Sequence, residues 1–128
     1  MLEIDTTTMK IAITRGDTAS IQFGAKDANG DTWNPTAGDE TLTFAVSKKW
    51  GGEPLMEITN PYSSSAATFW TITIGKNDWL DDSGNDKFKF SDYVYDVQVG
   101  TSTGDITIIG QTEELSPTFK VLGEVAPE

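Results

Sequence analysis

Apolar and polar residues alternate with a period of two along most of the chain, the pattern of strands with one buried and one wet face. "KIAIT" puts Ile11 and Ile13 on one side. "TASIQFGAK" sets Ala19, Ile21, Phe23 and Ala25 against Ser20, Gln22 and Lys26, and "TLTFAVSK" sets Leu42, Phe44 and Val46 against Thr41, Thr43 and Ser47. "LMEIT" offers Met56 and Ile58, "TFWTITI" offers Trp70, Ile72 and Ile74, and "YVYDVQV" offers Tyr93, Tyr95, Val97 and Val99. "DITIIG" and "TFKVLGEV" complete eight predicted strands, the last with Phe119, Val121 and Val125 on one face. Thr, Ile, Val and aromatic residues dominate them, the types that pack on a pleated, half-buried surface.

Between these runs lie "DANGD", "WGGEP", "DDSGND" and "TSTGD", each joining Gly to a turn-forming or polar neighbour. Short strands at regular spacing, separated by turns, predict an antiparallel sandwich or barrel, and the sandwich is preferred. The expected fold is an all-β, antiparallel β-sandwich of about eight strands with one short helical turn. It forms a single domain over residues 1–128, with its core between about 10 and 125. The inward set is expected to be Ile21, Phe23, Phe44, Val46, Ile72, Ile74, Tyr95, Val97, Ile108, Phe119 and Val121. The helical turn is "KNDWLDD", with Asn77 as its cap and Trp79 fastening it to the sandwich. The ends, "MLEIDTTT" and "GEVAPE", are expected to be loosely held.

Composition narrows the chemistry. The 128 residues contain no cysteine and no histidine. Disulfides, thiol chemistry and serine–histidine or cysteine–histidine nucleophiles are therefore excluded. The formal net charge of −11 opposes docking on phosphate backbones or anionic membranes, so neither nucleic acid nor membrane is an expected partner. "MLEIDTTTMK" lacks the basic start and apolar core of a signal peptide. Twenty acidic residues on a small domain pair by accident, and no loop insertion suggests the cleft a glycosidase needs. The expectation is a non-enzymatic protein with no catalytic residues and no cofactor.

Three constellations compete with plainer readings. Arg15-Gly16-Asp17 spells an integrin-type adhesion signal, yet Gly16 also supplies the positive φ of a tight turn and Asp17 a turn-fixing side chain. The turn reading is preferred, with Gly16 and Asp17 joining the strands of a first hairpin and Arg15 reaching a carboxylate. Asp27, Asn29 and Asp31 have the spacing that opens a calcium loop. The twelfth position, which should carry a bidentate acid, is Gly38, and Asn29-Gly30 is a hairpin signal, so no metal is expected there. Asp81, Asp82, Asn85 and Asp86 read as a solvated loop. Among the four tryptophans, Trp70 is expected in the core, whereas Trp33 and Trp50 stand in loops. Exposed aromatics mark protein interfaces, and Trp33, Trp50 and Tyr62 are the interface candidates. The same loop tryptophans could stack on sugar rings, which makes a carbohydrate-binding module for host cell-surface polysaccharide the alternative function.

The order of motifs carries a family resemblance. "RGDTASIQF" and "DYVYDVQV" resemble the second strand and the tyrosine-bearing later strand of immunoglobulin-type domains, with Tyr95 as that tyrosine and Phe23 and Val97 where a disulfide often sits. More broadly, "ITRGDT", "DANGD", "TLTFAV", "NDWL", "YVYDVQV", "GDITIIG" and the final "FKVLGEV" follow one another as in small tail or baseplate proteins of siphophages that infect Gram-positive bacteria. The stretch from Ile11 to Val125 resembles the N-terminal domain of baseplate upper proteins. It departs in "DDSGNDKFKFS", longer than that family's short turn, and in lacking a long C-terminal extension, which leaves a stand-alone adaptor and a small head–tail protein both open. The first resemblance implies an immunoglobulin-like β-sandwich, and the second a phage or prophage structural protein of the virion tail, made in the bacterial cytoplasm. It would form homo-oligomers and bind other tail or baseplate proteins.

Overall fold

The computed structural model describes residues 2–5, 7–23, 41–61, 70–101, 104–109 and 116–123. Within them are nine strands: β1 (Leu2–Asp5), β2 (Lys10–Thr14), β3 (Ala19–Phe23), β4 (Thr41–Ser47), β5 (Pro54–Pro61), β6 (Trp70–Ile74), β7 (Asp92–Thr101), β8 (Gly104–Ile109) and β9 (Thr118–Leu122). Seven form one sheet in the order β1-β2-β9-β7-β4-β5, with β8 pairing β7 outside that path. The other two, β3 and β6, form a second sheet. The protein is an all-β sandwich. Its β9-β7-β4-β5 succession follows the G, F, C, C′ succession of an immunoglobulin-type sheet.

The predicted alternation is what closes the core. Along β4 the pattern is strictly half-buried then buried, with Leu42, Phe44 and Val46 inward. Along β7, Tyr93, Tyr95, Val97 and Val99 face the same interior. Opposite them lie Ile21, Phe23, Ile72 and Ile74 from the small sheet. Phe44 is the hub: its ring lies 5.9 Å from Phe23 across the sandwich, 5.6 Å from Tyr95 and 6.0 Å from Phe119. Such ring pairs add about 0.5–1.5 kcal/mol beyond the area they bury. The Tyr95 hydroxyl donates to the carbonyl of Met9, which ties β7 to the turn before β2. Of the predicted inward set all are buried except Ile108, whose side chain lies outside the described residues, as does that of Trp70. Ile109 packs against the core from β8.

Four expectations need correction. The N-terminal segment is not a loose end: Leu2–Asp5 is an edge strand paired antiparallel with β2, Leu2 opposite Ile13 and Asp5 opposite Lys10. The turn between them is held by Asp5, whose Oδ1 accepts from the amides of Thr7 (2.9 Å) and Thr8 (3.2 Å). These two amides hold the Asp5 carboxyl below its ordinary pKa. The sandwich is not wholly antiparallel, because β2 runs parallel to β9. "ITRGDTASIQF" is not a hairpin, since β2 and β3 belong to different sheets and the segment crosses between them. Finally, the helical turn is a 3₁₀ turn over Lys76–Trp79, and its cap position is Gly75, not Asn77. The Gly75 amide donates to Asp78 Oδ2 at 2.7 Å.

Candidate functional site

The Arg15-Gly16-Asp17 crossover is locked into the sandwich. The Asp17 amide donates to the Thr14 carbonyl at 3.1 Å, and Gly16 takes a φ of 89°, the left-handed value expected of it. Trp79, 1% exposed, donates its indole N–H to the Asp17 carbonyl at 2.9 Å and packs against Phe88 and Phe119. It therefore staples the 3₁₀ turn to the crossover. The Arg15 guanidinium donates to the Phe88 carbonyl (3.1 Å), lies 3.6 Å from an Asp86 carboxylate oxygen and sits 4.2 Å over the ring of Phe90. An adhesion motif presents its arginine on a mobile tip, whereas this arginine is spent inside the fold. The sequence pattern marked the turn, but not Phe90, which is 54% exposed between the Arg15 guanidinium and the backbone of Gly123. Alternation in "KFKF" would put both phenylalanines on one face, but the segment is not a strand, and Phe88 is buried while Phe90 faces out.

A second face is built around Trp50. The β4–β5 connection folds as a tight turn in which the Gly52 amide donates to the Lys49 carbonyl at 3.0 Å. Gly51 holds the third position with φ 79°, as a type II turn requires. A Cβ on Gly52 would lie 2.9 Å from Ser47 Oγ and 3.1 Å from the Lys49 carbonyl oxygen, so only glycine lets the turn close this far. Ser47 Oγ lies within hydrogen-bond distance of the carbonyls of Lys49 (2.9 Å) and Glu53 (3.2 Å), so its one proton is shared between the two sides of the loop. Trp50, half-buried, is thereby projected over the outer face of the large sheet, and its indole N–H donates to Ser116 Oγ at 3.2 Å.

Beside Trp50 is a depression of about 220 Å³. Strand register makes its floor. Ala45 of β4 pairs with Glu57 of β5 on one side and Asp96 of β7 on the other. Residues opposite each other in antiparallel pairs share a face. Because Phe44, Val46, Met56, Tyr95 and Val97 point into the core, the row Glu57–Ala45–Asp96 points out. Thr43, opposite both Thr59 and Gln98, forms the next row. The small methyl of Ala45 leaves the space between the two carboxylates. Desolvation by its surroundings raises the Asp96 pKa above the ordinary carboxylate value, and no donor among the described residues pairs with it.

Of the sequence-predicted site residues, Trp50 alone of the interface set is placed; Trp33 and Tyr62 lie outside the described residues, as do Asp27, Asn29 and Asp31. Asp81 of the second acidic loop spends its Oδ1 on the amides of Ser83 (2.9 Å) and Asn85 (3.0 Å), which closes that loop on itself. Among the described residues no group of three or more Asp, Glu, His or Cys side chains is placed to hold a metal ion. Among them, too, no helix is long and apolar enough to cross a membrane. Nothing in the sequence marks Glu57 or Asp96 as a site residue, although alternation puts Asp96 on the wet face of its strand. Each is an ordinary polar position of an alternating strand, and only the pairing register puts them either side of Ala45. Comparison of the chain with protein-family models, with curated proteins and with solved structures found no match.

Proposed function

We propose that the chain is a non-enzymatic structural component of a phage or prophage tail or baseplate. It acts by surface complementarity with other virion proteins and with copies of itself. The resemblance in motif order supplies the class. The observation that supports an assembly role is Phe90: a large apolar ring left 54% exposed, with the Arg15 guanidinium 4.2 Å from its centroid and Gly123 beside it. Aromatic and arginine side chains are the commonest energetic anchors of protein interfaces, and here one of each is stacked at the surface. Tail assemblies repeat one patch by cyclic symmetry, so a single anchor of this kind is used in every subunit. The net charge of −11 keeps free subunits apart in solution before assembly.

Light scattering on the purified protein tests the reading, together with mass spectrometry of phage particles from its host. The expected result is a discrete ring-sized species that Phe90→Ala converts to monomer without loss of fold, and the protein's presence in the virion. A strict monomer at all concentrations, absent from virions, would overturn it. Tail, portal or baseplate genes beside its own gene are also expected.

A further inference from the structure

We propose that the depression beside Trp50 is a binding site for one neutral hexopyranose ring, as a free sugar or as a residue of a polysaccharide. A sugar ring presents two kinds of surface: flat patches of C–H groups and a periphery of hydroxyls. The site offers the counterpart of each. Trp50 supplies an aromatic ring at the edge of the depression, and its orientation is set by the Lys49–Gly52 turn and by the bond to Ser116. The periphery is met by Glu57 and Asp96, which flank the Ala45 methyl in one row across three strands. At about 4.8 Å between neighbouring strands, the two acids arise roughly 10 Å apart, a gap that a single ring spans. Thr43 and Gln98, in the adjoining row, add a hydroxyl and an amide.

Size and charge sharpen the ligand class. A volume of about 220 Å³ lies below the roughly 300 Å³ at which pockets begin to hold drug-sized molecules, so one ring fits and a folded peptide does not. Two carboxylates against the single ammonium of Lys49 disfavour acidic sugars and phosphates. An apolar ligand would strand these acids. A hydroxyl-rich one gives them donors, and a hydrogen bond to a charged acceptor is about twice as strong as a neutral one. Asp96 gains most, since its carboxylate has already given up part of its hydration without a donor from the described residues. Because both strands and turn are pre-formed, little ordering cost opposes binding.

The test is an amide-resolved NMR titration of the whole protein with glucose, galactose, N-acetylglucosamine and, as the charged contrast, N-acetylneuraminate. At least one neutral sugar is expected to give saturable shifts with a dissociation constant on the order of 1 mM. The shifts should centre on the Trp50 indole N–H and on the amides of Ala45, Glu57 and Asp96, with N-acetylneuraminate binding at least about tenfold more weakly. Trp50→Ala, Asp96→Asn and Glu57→Gln should each weaken binding by about tenfold, while Glu3→Gln, on a distant strand, should not change it. The two polar variants keep the test valid if Trp50→Ala disturbs the turn. A tetrasaccharide that binds more tightly than its monomer points to polysaccharide as the source, and equal affinity points to single residues. No saturable shift with any neutral sugar, or shifts that Asp96→Asn and Glu57→Gln leave within about twofold, would overturn the proposal. Oligomer formation through Phe90 is a separate readout and stands or falls independently.

Discussion

Replacing Trp79 tests the claim that one indole joins three parts of this fold. Its side chain is 1% exposed, its ring centroid lies 5.3 Å from Phe88 and 6.0 Å from Phe119, and its N–H bonds the Asp17 carbonyl at 2.9 Å. Trp79→Ala removes the ring and leaves a cavity, at a cost of about 3–5 kcal/mol. For 128 residues the unfolding entropy near the midpoint is about 0.27 kcal/mol per kelvin, so each kcal/mol moves Tm by about 4 °C. The expected fall is therefore about 11–19 °C, and the cost of about 3–5 kcal/mol is a large part of the about 5–15 kcal/mol that holds such a domain together. Trp79→Phe separates the contributions. It keeps an aromatic ring but leaves the Asp17 carbonyl without its donor, which costs about 1–2 kcal/mol, or roughly 4–8 °C. Thermal melts followed by circular dichroism read both values, and urea titrations with an unchanged slope confirm that the native state is otherwise intact. A Trp79→Ala midpoint within about 4 °C of the parent would refute the staple. A Trp79→Phe protein as stable as the parent would refute the role given to the bond to the crossover.

Three further outcomes follow from the same geometry. Burial pushes the Tyr95 hydroxyl up to about 12, so the folded state holds its proton more tightly than the unfolded state does. Stability should then fall as pH rises above 10, by about 2–3 kcal/mol by pH 12, and Tyr95→Phe should remove that component of the alkaline slope while costing about 1 kcal/mol at neutral pH. Asp96 has a raised pKa as well, so its charge opposes folding above the folded pKa and this penalty disappears as pH falls through it. Asp96→Asn should be at least as stable as the parent at pH 7, with any advantage lost in acid, and a destabilised Asp96→Asn at neutral pH would contradict the desolvation account. Gly51→Ala places a Cβ at φ 79° and should cost about 1 kcal/mol in denaturant titration, with a shifted Trp50 indole resonance; an unmoved resonance would show that the turn does not orient the ring.

Much of this architecture was legible because its signals are local. A period of two determines which residues of a strand share a face, and burial of one face selects the apolar set; hence Phe44, Val46, Tyr95, Val97, Phe119 and Val121 lie where alternation puts them. Trp79 was legible as a staple because it is the large apolar residue of an otherwise polar turn. Gly16 was legible because a positive φ at a crossover leaves few other choices. Local signals reach no further than the strand. Nothing in "LEID" distinguishes a frayed end from an edge strand, since that depends on an unpaired edge of β2 being available. Nor does "ITRGDTASIQF" reveal whether its two strands pair with each other or with β9 and β6.

The candidate site shows the same division. By itself the sequence determined that Trp50 stands in a glycine-rich turn, that the chain carries no thiol or imidazole, and that its strands each have a polar face. Those are properties of residue types and their neighbours along the chain. Tertiary structure alone decided that Glu57 and Asp96 flank Ala45, that Trp50 overlooks them, and that Arg15 turns inward to hold Phe90 in place. The reason is physical: register between strands is set by the summed packing of two sheets, and residues about 40 positions apart become neighbours only after that packing has chosen one alignment.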